Sequence, residues 1–117
     1  MYLVLFVLHD PSKMEELLSG WEEVGIERVT VLFSTGLGRI RQFKGWRDDL
    51  PLIPSLEDFY KIEDHFNRTL FTVVRDLDSA HRLLQVTQRV IGDLSQPNTG
   101  ILLILPLVEA FGLDKIE

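Results

Sequence analysis

Apolar positions along this chain fall into four strand-like runs and two helical stripes. The first run, Tyr2-Leu-Val-Leu-Phe-Val-Leu-His9, is apolar almost without a break, as expected of a strand in the middle of a sheet. Asp10 and Pro11 then give a helix start, because Asp can cap and Pro costs nothing at the first helical position. Met14, Leu17, Leu18, Trp21 and Val24 recur at spacings of three and four, one apolar stripe of a helix that Gly25 is placed to stop. A second strand is predicted from about Arg28 to Thr35 and a third over Phe66–Arg75, both rich in β-branched and aromatic residues. Asp78 or Ser79 is the predicted cap of a second helix, with Ala80, Leu83, Leu84, Thr87, Val90, Ile91 and Leu94 as its buried stripe. The turn formers of Ser95–Gly100 lead into a fourth strand, Ile101–Leu105, which Pro106 stops.

The order β-α-β-β-α-β predicts a single α+β domain over residues 1–117 with a ferredoxin-like βαββαβ fold. In that arrangement two helices cover one face of a four-stranded antiparallel sheet. The other face is left bare, yet the first and fourth strands lack polar alternation, so it too must be apolar. A bare apolar sheet calls for other subunits to cover it. The second and third strands are joined by residues 36–65, far longer than the two to five residues usual in a hairpin. Long connections in small domains concentrate function, so this one is the first place to seek it.

Composition narrows the classes. With 45% apolar and 26% charged residues the chain is globular, and its 117 residues can bury one core. It has no cysteine, which excludes disulfides, zinc ribbons and thiol catalysis, and fits a cytoplasmic location. A net charge of −6 argues against nucleic-acid partners. The apolar start lacks the basic flank of a signal peptide, and no run is long enough to insert into a membrane.

No catalytic residues and no metal ligands are assigned. His9, His65 and His81 stand at no metal-ligand spacing, and His9 reads as a hydrogen-bonded structural residue at a strand end. Asp48-Asp49 and Glu63-Asp64 are adjacent carboxylates of the kind that mark a solvated surface rather than an acid–base pair. Gly36-Leu-Gly38-Arg39 opens the long connection; the glycines allow either a simple loop exit or a close approach of backbone to a ligand. Arg39, Arg41, Lys44 and Arg47 are cations interleaved with Phe43 and Trp46. Such a patch suits a phosphate, a nucleic acid or an acidic partner surface, or else belongs to a solvated loop balanced by Asp48, Asp49, Glu57 and Asp58; its aromatics either pack the loop down or anchor a partner.

The helix end Glu23-Val-Gly-Ile26, the strand Val29-Thr-Val-Leu-Phe33, Gly36-Leu-Gly38-Arg39 opening a long loop, and Thr99-Gly100 running into Ile101-Leu-Leu-Ile-Leu-Pro-Leu-Val-Glu-Ala110 together resemble the PII signalling family and its PII-like relatives. The resemblance covers nearly the whole chain in order and spacing. It implies a homotrimer whose sheets line the centre, a T-loop over residues 36–65 that docks on a target protein, and a small-molecule effector in the cleft between subunits. The ligand-binding residues it implies are Gly36, Gly38, Arg39, Asn98 and Gly100, and the partner-binding loop carries Arg41, Phe43, Lys44, Trp46 and Arg47.

An adenine nucleotide is the family's ligand, but the basic residues that hold its phosphates are missing here. The lysine after the glycine loop is Ile101, the two arginines of the C-terminal loop fall near Gly112 and Asp114, and the glutamine after Gly-x-Gly-Arg is Ile40. Each lost charge-assisted hydrogen bond is worth about 1.5–3 kcal/mol. The identity of the cofactor is therefore left open. The leading expectation is a trimeric regulatory protein, not an enzyme. The alternative is a CutA-like trimeric module that binds a metal or small molecule, and the third is a small enzyme with the long loop as a lid.

Overall fold

A computed structural model describes residues 1–34 and 67–113. Six elements run in the order β1 (Tyr2–Leu8), α1 (Met14–Glu23), β2 (Thr30–Ser34), β3 (Asn67–Val74), α2 (Leu77–Ile91) and β4 (Gly100–Pro106). The strands form one sheet in the order β2-β3-β1-β4, and every neighbouring pair is antiparallel. This is the expected ferredoxin-like α+β arrangement. The registers run without a bulge: Phe6 faces Leu70 on one side and Leu102 on the other.

Alternation along the strands assigns the two faces. Val4, Phe6 and Leu8 of β1 and Leu70 and Val74 of β3 point under the helices, where they are buried with Leu17, Trp21, Ala80, Leu83 and Val86. Burying side chains of this size contributes about 1.5–3 kcal/mol each, so this one cluster is the main source of stability.

An aspartate precedes each helix: Asp10 caps the 3-10 turn that leads into α1, and Asp76 caps α2 itself. The Asp10 carboxylate accepts from Ser12 Oγ at 2.7 Å and from Ser12 N at 3.0 Å. Lys13 N also bonds Asp10 O at 3.1 Å, so Pro11–Lys13 forms a 3-10 turn, and the α-helix begins only at Met14. At the other end Gly25, at φ +94°, donates to Glu22 O while Ile26 N donates to Trp21 O. That pair of bonds is the Schellman arrangement, and it needs a residue that tolerates positive φ.

For α2 the expected cap was two or three residues late. Asp76, not Asp78 or Ser79, is the cap: its backbone is extended and its carboxylate accepts from Ser79 N at 2.7 Å. The helix ends at Ile91 on Gly92, so Leu94 packs on the core from beyond the helix. β4 also runs one residue further at each end than expected, taking in Gly100 and Pro106.

Two contacts lock the helices together. Gly20 of α1 packs tightly against α2: a Cβ there would lie 2.7 Å from Val86 Cγ1. Trp21 Nε1 donates to Thr87 Oγ1 at 2.9 Å, and the Thr87 hydroxyl donates to Leu83 O at 2.7 Å. Trp21, Leu83 and Thr87 are all fully buried. Glu23 and Arg89 make an exposed ion pair at 3.0 Å, of a kind that adds little.

Candidate functional site

The chemistry-bearing loops meet one end of the sheet. Ser34, the last residue of β2, pairs with Asn67, the first of β3. Leu8, at the same end of β1, faces Arg68 on one side and Gly100 on the other. The connection between β2 and β3 therefore leaves and returns at the end where the turn after α2 delivers the chain into β4. Ser34 Oγ and Thr69 Oγ1 are hydrogen-bonded at 2.6 Å, and the Arg68 guanidinium lies 4.3 Å over the Phe33 ring. Asn67 is buried, and its Oδ1 accepts no hydrogen bond among the described residues.

Of the ligand residues implied by the resemblance, Asn98 and Gly100 are described, and both have special backbone. Asn98 has φ +64°, the left-handed region that Asn tolerates better than most residues. A Cβ on Gly100 would lie 2.5 Å from Val7 O and 2.6 Å from Phe6 Cζ, so only glycine can begin this strand so close to β1. The turn before it is closed on itself. Asp93 accepts from Ser95 N at 2.9 Å and from Ser95 Oγ at 2.8 Å, Gln96 N donates to Asp93 O, and Thr99 Oγ1 donates to Gln96 O.

The Ser95 backbone bond, helped by the hydroxyl, holds the Asp93 carboxyl below its ordinary value, so it is charged at neutral pH. The Ser95 amide is thus already taken by a carboxylate of the turn itself. The position after the turn is the half-exposed Ile101 rather than a cation. The turn accordingly offers shape and backbone to a ligand, with no positive charge of its own.

Gly36, Gly38 and Arg39, and the loop residues Arg41, Phe43, Lys44, Trp46 and Arg47, lie outside the described residues. Within one chain, β2 and β4 are the two opposite edges of the sheet. Three strand spacings, about 14 Å, separate the end of β2 from the Gly100 turn.

Among the described residues, the sheet face away from the helices is broadly apolar. Leu3, Leu5, Val7, Phe71 and Val73 form its half-buried centre. Leu32 on β2 and Ile101, Leu103 and Leu105 on β4 flank it, between 40% and 52% exposed. None of these side chains carries charge, in a chain that is 26% charged. Polar periodicity gave away this face, because both strands that dominate it lack alternation. Sequence reasoning missed Asn67, whose burial leaves no mark in the strand pattern read over Phe66–Arg75.

No protein-family model matches this chain, and no curated protein matches it in sequence. Its functional reading therefore rests on its own surfaces. Among the described residues there is no group of three His, Asp or Glu side chains able to hold a metal ion. No helix among them is long and apolar enough to cross a membrane. A shallow trough of about 420 Å³ between α1 and α2 is lined by Glu15, Glu16 and Glu23, and one of the three carboxylates already pairs with Arg89.

Proposed function

We propose that this protein is a homotrimeric, PII-like regulatory protein that acts on a partner protein through residues 36–65, under the control of a small effector bound between subunits. The observation that carries the reading is the uncharged sheet face bounded by Leu32, Ile101, Leu103 and Leu105. A patch of that kind on a small protein marks an interface. Covering it with sister sheets leaves the helices outside, and the long connection at one end is then placed to report. The backbone at Asn98 and Gly100, and an Asn67 Oδ1 that accepts no hydrogen bond among the described residues, support a further guest at that same end.

The closed Asp93 turn and the half-exposed Ile101 favour an effector that makes little demand for positive charge from this turn. Light scattering on the purified protein at micromolar concentration tests the assembly. The expected mass is three times the 13.5 kDa of one chain. A stable single-chain mass would end the reading. Calorimetric titration with ATP, ADP and AMP tests the effector: affinity that does not rise with each added phosphate is expected, and a strong preference for triphosphate refutes this part.

A further inference from the structure

We infer that His9 from three copies forms a metal site on their common axis, at the end of the sheet where the β2–β3 connection leaves, and that it takes a divalent cation of the zinc class. The site rests on the trimer proposed above, and the experiment below separates the two.

Within one chain, no three His, Asp or Glu side chains come together among the described residues. Symmetry changes that count, because rotation about an axis turns one imidazole into three. The histidine must then stand on the face turned to the axis and near the middle of the sheet. β1 is one of the two inner strands in the order β2-β3-β1-β4. His9 N donates to Thr99 O at 3.5 Å, which carries the β1–β4 ladder one pair beyond Leu8 and Gly100. Leu8 is fully buried under the helices, so alternation puts His9 with Val7 on the other, uncharged face. That is the face sister copies cover. Faces that pack about 10 Å apart stand about 5 Å from an axis between them. A histidine side chain on an inner strand spans that distance, and three can meet one ion at zinc–nitrogen lengths of about 2.0–2.1 Å.

Asn67 gives independent support. The β1–β3 register ends at Leu8 and Arg68, so the next residues, His9 and Asn67, lie across from each other on this same face. Asn67 is only 6% exposed, and its Oδ1 accepts no hydrogen bond among the described residues. A buried carbonyl oxygen of this kind is costly until a donor reaches it. A histidine that gives one ring nitrogen to a metal almost always donates its other ring N–H to a carbonyl or carboxylate. Asn67 stands where that acceptor is needed.

The surroundings fit the same cation. Val7, Thr69, Ser34 and Ile101, the neighbours on this face, carry no positive charge to repel it. Neutral imidazoles suit zinc, copper or nickel, whereas magnesium and calcium take oxygen ligands. Three nitrogens leave a fourth position for water or an anion. Val7 and Leu5 make the axis apolar on one side of the imidazoles, so that position opens at the loop end.

The test is dialysis of tag-free protein against zinc, with metal content read by mass spectrometry and light scattering on the same sample. One zinc per three chains is expected, lost in His9→Gln and kept in His81→Gln, which changes an exposed residue of α2. Cobalt in place of zinc should give the strong visible absorption of a four-coordinate site. A trimer that takes up no zinc, holds one per chain, or binds as well after His9→Gln would overturn the site and leave the trimer standing. A single-chain mass would overturn both. Asn67→Leu should weaken binding about 10–100-fold, and Asn67→Asp, which still accepts the ring N–H, should not. Equal affinity in all three proteins would overturn the part given to Asn67. If His9→Gln does not fold, ring-nitrogen NMR of the wild type decides: zinc should move the His9 signals and leave those of His81, and unmoved His9 signals overturn the site.

Discussion

Replacing Thr87 by Val changes one buried hydroxyl into a methyl group of nearly the same size. In the native protein that hydroxyl accepts from Trp21 Nε1 at 2.9 Å and donates to Leu83 O at 2.7 Å, and all three residues are fully buried. The valine leaves the indole N–H without this acceptor, and a buried donor without a partner costs about 1–3 kcal/mol. The Leu83 carbonyl loses less, because as a helical carbonyl it is placed to accept the backbone N–H four residues on. Burying a methyl in place of the hydroxyl returns up to about 0.8 kcal/mol. The expected net loss is therefore about 1–2 kcal/mol, carried by the indole. Urea unfolding followed by far-UV circular dichroism, at one fixed protein concentration so that assembly does not confound the midpoint, measures it. In a Trp21→Phe background the donor is gone, and the same Thr87→Val change should cost nothing or stabilise. A Thr87→Val protein as stable as the parent, or an equal loss in both backgrounds, would refute the bond's role.

Gly20→Ala should destabilise even though alanine is worth about 1 kcal/mol more than glycine inside a helix, because its Cβ falls 2.7 Å from Val86 Cγ1. Adding Val86→Ala should recover part of the loss, which thermal melts of the single and double variants will show. Gly100→Ala should be worse than Gly20→Ala, since its Cβ meets the Val7 carbonyl of a central strand; the expected sign is loss of soluble folded protein. Asp10, Asp76 and Asp93 are each held below their ordinary values by bonds from Ser12, Ser79 and Ser95. A depressed carboxyl adds stability that is fully present above its unfolded value of 3.8 and is lost as pH falls through the lower folded value. Denaturant midpoints should thus drop on acidification below about pH 4, and Asp76→Asn, which still caps but does not titrate, should flatten part of that slope.

Local signals carried most of the fold. The unbroken apolar run of β1, the Asp10-Pro11 start and the Gly25 stop each act within a few residues, and the structure keeps them. What escaped depends on packing between elements. Val86 lies beside the apolar stripe read for α2, and it is buried because Gly20 of α1 lets the helices close over it. Neither residue says so by its own periodicity. The α2 cap was misplaced because Asp76, Asp78 and Ser79 are all good caps, and only the extended backbone at Asp76 distinguishes the one used. At the candidate site the glycine of Gly100 was legible, but its reason, the Val7 carbonyl and Phe6 ring, lies across the sheet. That Asp93 closes the turn was not legible, because an Asx turn and a ligand-facing loop share the same composition.

The register at Ser34 and Asn67 has a consequence for how such a protein can change. Two residues already facing each other across a ladder form a clasp, and whatever is spliced between them enters and leaves through one fixed gate. Lengthening an insert at a clasp is cheap, about 0.6 kcal/mol for each doubling. The scaffold can thus exchange the segment between Ser34 and Asn67 for another, or for a two-residue turn, without renegotiating its core.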